Sequence, residues 1–466
     1  MLRRSDPDVG LRRTHCPEQG LAALVVIMGL FLVMALVAAY ANRNIIIEQR
    51  ISAGSVRSER AAQAADSAVD WVTAMLNSGN IDTRCQPTSD TSLGNFRSRY
   101  LLRNSETNGY DYVTRSITSL TNKYYAGCRL VSSGELSCVC PNSGNPGLNP
   151  LAGDDNSAAF RINYDAPVAA GGAETRAGTI TVQVRGCANA GTASQGCIAN
   201  VDHPVTDAIV DVRAHLGLVK ALPAVPAATI TTGRYLDASS ATALHIANTD
   251  PTTGIGIQTG GAATWPSGTM PTVSGPAGST STNDGRVLVP PDTAALTQQY
   301  TENPSGSGCE SGNCFFRRFF TMDQSLYKRQ PAVVRLSCSG GCDLSDLTTA
   351  QWTGQNAGRP IYIDGDLTLA DSPTGTVGTS AQPMLLVVSG TLTISAGMDL
   401  VGLAYAHDVV WSASSGSLRG ALVAAQDITV SGTMTASYDS DVLKLMKDTY
   451  GSFVRIPAGW NRGGRE

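Results

Sequence analysis

Charge is scarce in this sequence: Asp, Glu, Lys and Arg together make up 15% of 466 residues, and the formal net charge is −4. The basic residues are scattered rather than striped, which leaves no electrostatic footprint for nucleic acid. Aromatic residues are equally sparse at 6%. The histidines His15, His203, His215, His245 and His407 stand singly along the chain, so none has a neighbour at metal-ligand spacing. The chain lacks a G-x-S-x-G elbow, an H-E-x-x-H helix, a P-loop and a G-x-G-x-x-G turn; Gly254-Ile255-Gly256 continues to Gly260 at the wrong gap. These absences remove the common sequence signs of a serine nucleophile, a zinc peptidase and a phosphate cradle. No cofactor is expected.

What is abundant is Gly, with 48 residues, beside many Ser, Thr and Ala. That mixture suits short strands and turns rather than helical bundles. The length exceeds one ordinary domain, so an anchor followed by two or more folded bodies is expected.

Of the 11 cysteines, Cys16 precedes the first hydrophobic segment and the other ten follow it: Cys85, Cys128, Cys138, Cys140, Cys187, Cys197, Cys309, Cys314, Cys338 and Cys342. The even number, and the close spacing of Cys187 with Cys197, Cys309 with Cys314 and Cys338 with Cys342 in Gly/Ser/Asn-rich loops, point to disulfides in an oxidising compartment. A zinc site is disfavoured, because no two CxxC motifs and no histidine at ligand spacing accompany them. The full pairing is not legible from their order.

Residues 1–20 are polar and carry Arg3, Arg4, Arg12 and Arg13, whereas the run Leu21 to Ala41 contains no charge. At ~1.5 Å per residue such a run reaches ~30 Å, the thickness of a hydrocarbon core. The leading arginines belong on the cytoplasmic side, which exports everything after residue 42. Ala39-Tyr40-Ala41 resembles a signal-peptidase site, but the apolar run is long for a cleaved signal. Helical sequence also continues beyond it. No proline occurs from Asn42 to Asn77, and Ala61, Ala65, Ala68, Val69, Val72 and Leu76 recur at three- and four-residue steps as one face. One long helix is expected, ending at Asn77-Ser78-Gly79-Asn80.

Glu18-Gln19-Gly20 followed by Leu21-Ala-Ala-Leu-Val-Val-Ile-Met-Gly-Leu-Phe-Leu-Val resembles the leader junction of type IV prepilins. The stretches Glu48 to Gly54 and Arg60 to Ala68 are similar to the N-terminal signature of PilX-like minor pilins, so the likeness covers roughly residues 18–75. It implies cleavage after Gly20, methylation at Leu21, and a retained helix in which Val25, Leu30, Leu32, Val33 and Leu36 pack among neighbouring subunits. It also implies an inner-membrane precursor whose bulk is periplasmic, then a place in a cell-surface pilus. The partners implied are the major pilin, other minor pilins, the prepilin peptidase and a large tip adhesin. The family's major subunits carry a glutamate at the fifth mature position, where this chain has Val25. That departure favours a priming or tip position over a repeating one, and membership of a type II secretion pseudopilus stays open.

Downstream, Phe160 to Tyr164, Gly178 to Arg185 and Val205 to Ala214 alternate apolar and polar residues at period two, which predicts a one-sided antiparallel sheet. Leu222-Pro-Ala-Val-Pro226 reads as a linker. The last third is repetitive: Ile361 to Ala370, Leu386 to Ser395, Leu403 to Ser412 and Leu422 to Ser431 each read as strand, polar turn, strand. Their spacing suits the rungs of a parallel β-solenoid. Ala243 to Asn248 and Gly254 to Gln258 are candidate further rungs. Asp364-Gly365-Asp366 and His407-Asp408 are better read as turns than as a calcium loop or a catalytic pair. The Phe315 to Phe320 cluster reads as a buried face rather than a docking surface.

The expected fold is α+β and mainly β, with a long N-terminal transmembrane and amphipathic helix, a pilin-like antiparallel sheet and a C-terminal solenoid-like repeat domain. The expected boundaries are a leader at 1–20, the helix at 21–79 with its membrane span at 21–41, and a disulfide-containing domain at 80–220. The solenoid-like domain follows at 221–440, with an insertion at about 265–355, and a tail at 441–466. The functional expectation is a non-catalytic minor pilin; the alternative is a membrane-tethered surface-binding module or a polysaccharide-active solenoid enzyme.

Overall fold

The computed structural model describes residues 19–463 apart from 91, 104–109, 113–125, 132–133, 142–156, 164–177, 190–196, 198–207, 267–271, 276–287, 290–313, 344–355, 357 and 371–375. The fold is α+β and mainly β. The chain divides into two compact units, residues 1–59 and 60–466.

Helix α1 runs from Gln19 to Leu76 without interruption. Good helix formers fill it and proline is absent, so nothing breaks the hydrogen-bond ladder. Within the second unit its last turns bury Ala61, Ala65, Ala68, Val69, Val72 and Leu76 completely, the stripe legible in the sequence. Each buried Val or Leu side chain contributes about 1.5–3 kcal/mol, so this face is held firmly.

The partner of that stripe is a six-stranded antiparallel sheet. A short helix, α2 (Phe96–Tyr100), and the strand pair β1 (Leu101–Arg103) and β2 (Tyr110–Tyr112) precede it. The sheet then takes β3 (Ala126–Leu130), β4 (Leu136–Val139), β5 (Ala159–Asn163), β6 (Thr179–Cys187) and β7 (Ile209–Lys220). In β6, Ile180, Val182 and Val184 face the helix while Thr179, Thr181 and Gln183 point the other way, as a period of two requires. Trp71 of α1 fills the space between Phe96 and Phe160, with ring centroids 5.7 and 5.5 Å away.

A curled, parallel seventeen-stranded sheet follows. Its strands are β8 (Ala228–Thr232), β9 (Leu236–Asp237), β10 (Ala243–Ala247), β11 (Ile255–Thr259), β12 (Ala263–Thr264), β13 (Thr272–Ser274) and β14 (Leu288–Val289). After these come β15 (Val334–Asp343), β16 (Ile361–Leu369), β17 (Thr376–Val377), β18 (Met384–Val388), β19 (Thr391–Ile394), β20 (Asp399–Ala406), β21 (Asp408–Trp411), β22 (Ser417–Ala424), β23 (Ile428–Val430) and β24 (Thr433–Ser437). Sets of strands pair in register with the next set, so Leu367, Leu392, Val409, Ile428 and Leu236 form one fully buried row. Where the sets pass close at a bend, Gly402 and Gly420 take φ of +143° and +136°, and a Cβ on either would collide with the carbonyl of the preceding set. Only glycine fits there.

The order of the sets differs from the chain order. Strands β8, β9 and β10 lie beside β22, β23 and β24, so the earliest repeats stack on the last. Residues 265–355, expected as an insertion, supply β13, β14 and β15 to the same sheet. They also supply helices α3 (Cys314–Phe320) and α4 (Gln324–Tyr327). Phe315, Phe316, Phe319 and Phe320 of α3 are buried against Leu385, Val387, Leu403, Tyr405 and Val423, so the aromatic cluster is core. Burial raises the Tyr327 and Tyr405 hydroxyls far above their ordinary range. The Leu222–Pro226 stretch is also pinned: Leu222 is buried and Ala224 N–H donates to Phe319 O at 3.1 Å.

Of residues 441–466, expected as a tail, the described ones to Gly463 instead form a helix and a strand of the antiparallel sheet. Helix α5 (Ser440–Thr449) starts on Asp439, whose carboxylate caps the Asp441 and Val442 N–H groups. Strand β25 (Gly451–Gly463) then pairs antiparallel with β7 from Gly451 opposite Lys220 to Gly463 opposite Asp211. The chain thus leaves the antiparallel sheet at Lys220 and re-enters at its paired neighbour. Arg97 and Asn77 fix the return: Arg97 Nη1 donates to Thr449 O at 3.1 Å and Nη2 to Gly451 O at 2.6 Å, while Asn77 and Phe453 exchange backbone-to-amide bonds of 2.8 and 2.9 Å. The guanidinium also stacks 4.7 Å from the Phe453 ring centroid.

The helix lies close to the sheet at Gly186, where a Cβ would collide with Ala61 O and Ala65 N. Gly186→Val forces the two apart, and overpacking of this kind costs about 1–3 kcal/mol. A lower urea midpoint by denaturation, with native spectra before the transition, is expected.

Candidate functional site

The first candidate is the apolar part of α1. Gly20 and Leu21 lie in its first turn. Val25, Leu30, Leu32, Val33 and Leu36 are 54–65% exposed, and Leu24, Phe31 and Val37 are comparably bare. A contiguous apolar surface of this extent marks a place meant for lipid or for another apolar partner. Among the described residues α1 is the one helix long and apolar enough to cross a membrane, and length and composition admit either a retained anchor or a signal sequence. Exposed Ile45, Ile46, Ile47, Ile51 and Val56 extend the apolar character past Ala41, interleaved with Arg43, Glu48 and Arg50.

The cysteines are largely paired. Cys128 and Cys138 sit opposite one another in β3 and β4 and are bridged, with Cα atoms 4.0 Å apart. Cys187 joins Cys197 and Cys338 joins Cys342. Cys85 joins Cys140 across 55 residues, a loop length for which cross-linking contributes about 4 kcal/mol. Cys314 opens α3, while Cys16 and Cys309 fall outside the described residues.

The acidic turns are occupied by structural bonds. Asp364 accepts from Lys328 Nζ at 3.0 Å and from Arg335 Nη2 at 2.6 Å. Asp366 Oδ1 accepts the Thr391 N–H at 2.7 Å, Asp408 Oδ1 the Asp427 N–H at 3.1 Å, and Asp427 Oδ1 the Tyr235 N–H at 3.2 Å. At one bend of the sheet, therefore, carboxylates of three strand sets each hold the backbone of the set beside them. His407 Nδ1 and Asp408 Oδ2 are 2.7 Å apart at the surface, and the other oxygen of Asp408 is taken by the Asp427 N–H. No cluster of three His, Cys, Asp or Glu poised for a metal ion occurs among the described residues.

Two structural features escape the sequence reading. The Arg97–Asn77–Phe453 clamp joins residues hundreds of positions apart and leaves no local signal. The carboxylate ladder does leave one: Asp366-Leu-Thr-Leu, Asp408-Val-Val-Trp and Asp427-Ile-Thr-Val share an aspartate before the inward apolar pair.

No protein-family model matches the chain, and searches of curated proteins and of solved structures find no match.

Lys328 and then Arg335 hold the Asp364 carboxyl below its usual range. A depressed pKa contributes stability that is present above the unfolded value of about 4 and is lost as pH falls toward the folded value. Asp364→Asn is expected to lower stability by less than about 1 kcal/mol at neutral pH, since the pair is partly solvated. Urea midpoints of variant and parent should converge on acidification below about pH 4.

Proposed function

We propose that the chain is a minor pilin of the type IV pilus class, anchored in the inner membrane by α1 before assembly and non-catalytic. The observation that carries this reading is the continuity of α1. Its exposed apolar part and its last turns, which form part of the core of the antiparallel sheet, are one uninterrupted helix. Removal of residues up to Ala41 would discard an element that the exported body continues, whereas cleavage after Gly20 would retain it whole. The leader-like junction at Gly20–Leu21 and the signature through Ala68 support the same processing.

In this reading the antiparallel sheet with its disulfides is the pilin-like head. The parallel sheet, entered at Lys220 and left at Gly451, is a β-solenoid carried by that head on the exported side. Hydrophobic burial holds the helix first in lipid and later among sister helices. Val25, with no carboxylate to pair with a neighbouring amino terminus, suits a priming or tip position beside the major pilin, other minor pilins and a tip adhesin. The prepilin peptidase would act at Gly20.

Mass spectrometry of the mature amino terminus tests the proposal. A start at Leu21, N-methylated, is expected. A start at Asn42 overturns it and makes the exported body a secreted module.

A further inference from the structure

Five cations gather where α3 and α4 cover the parallel sheet. Helix α3 turns its four phenylalanines inward, so Arg317 and Arg318, between the two pairs, face solvent. Phe316 and Phe320 hold α4 against α3 through the Tyr327 ring, with centroids 5.4 and 4.9 Å away. Between the helices, Asp323 accepts from Arg317 Nη2 at 2.7 Å. Helix α4 presents Leu326 and Arg329 to solvent. Lys328 reaches across the Tyr362 ring, 5.9 Å from its centroid, to Asp364. Arg335, opposite Tyr362 in the register of β15 with β16, donates to the same oxygen of Asp364.

Contacts thus run without a break from α3 through α4 to β15, and along them Arg317, Arg318, Lys328, Arg329 and Arg335 face two carboxylates, Asp323 and Asp364. The surplus is three positive charges in a chain of net charge −4, or two once Asp366 beyond the bend is counted. One carboxylate oxygen serves both Lys328 and Arg335, and Arg329 has no acidic partner among the described residues. A local surplus of this kind attracts an anionic partner.

The surroundings narrow the class of partner. Phe315, Phe316, Phe319, Phe320, Tyr327 and Tyr362 are all buried, so none of these rings offers a stacking platform to a nucleic-acid base. Helices α3 and α4 have seven and four residues, too little for a recognition helix laid in a duplex groove. What the rim does offer is guanidinium forks, which match carboxylate and sulfate groups, and the exposed Leu326 among them, an apolar seat for the C–H face of a sugar ring.

We propose that the rim formed by α3, α4 and β15 is a docking site for an acidic polysaccharide, whose carboxylate or sulfate groups are held by Arg329, Arg335 and Arg318. Lys328 adds charge from beneath, while Asp364 fixes Arg335 at the edge of the sheet. Docking here is independent of how the amino terminus is processed.

The test uses the full chain in detergent micelles, titrated into fluorescently labelled polygalacturonate and dextran sulfate at low salt, with anisotropy as the readout. Saturable binding to at least one is expected, weakening as NaCl screens the charges, with none to uncharged dextran. Arg329→Gln with Arg335→Gln is expected to weaken binding about tenfold or more, as the loss of charge-assisted hydrogen bonds implies. Arg234→Gln with Arg455→Gln removes the same charge at exposed ion pairs elsewhere and should leave affinity within about twofold. Absence of binding to both polymers overturns the proposal, and so does an equal loss in the two double variants. Tighter binding of a DNA duplex than of either polymer at the same salt also overturns it. Should the first double variant lose its native circular dichroism, Arg329→Gln alone decides: weaker binding upholds the site and unchanged binding overturns it.

Discussion

Burial of one face of α1 against the antiparallel sheet is the constraint from which the rest of the second unit follows. Small residues at Ala61, Ala65 and Ala68 let the backbone of β6 approach, and Gly186 supplies the missing Cβ on the other side. Val72 and Leu76 then fill the wider end with Phe453 of the last strand. Because that strand belongs to the same core, the sheet is complete only when the chain has come back from the parallel domain to Gly451. The antiparallel body is therefore built from both ends of the second unit, and the long middle leaves and returns through one neighbouring pair of residues.

The two sheets solve different problems with the same backbone chemistry. The antiparallel one is curtained on a single face by the helix, and its strands alternate accordingly. Many strands of the parallel one are buried on both sides, by the aliphatic rows within and by α3 and α5 outside, so stretches such as Leu385 to Val388 are apolar throughout. Where strand sets stack at a bend, carboxylates and glycines take over: Asp366, Asp408 and Asp427 bond across to the neighbouring backbone, and Gly402 and Gly420 permit the close approach. These are short-range devices, and they give the acidic turns of this domain a structural use.

Local pattern carried much of this fold and long-range pairing carried the rest. The helical stripe to Leu76, the alternation in β6 and the strand-turn-strand repeats from Ile361 to Ser431 were legible because periodicity is written in neighbouring residues. The stacking of Ala243 to Ala247 on Thr433 to Ser437 was not, since nothing near either strand names its partner. The same holds for β25, whose fate as a strand depends on Arg97 and Asn77 far upstream rather than on its own sequence, with Pro457 and three glycines in it. Among the site residues, Gly20 and Leu21 rest on resemblance alone. The bare surface of Val25 to Leu36 followed from composition, and its fractional exposure gives that reading a physical form.

Amide hydrogen exchange of the full chain in lipid nanodiscs addresses the continuity of α1 most directly. Slow exchange is expected without a break from about Leu24 to Leu76, sustained by lipid at one end and by the sheet at the other. A rapidly exchanging gap between the apolar run and Ala61, or the absence of residues 21–41 from the purified chain, would contradict the retained single helix on which the functional reading stands.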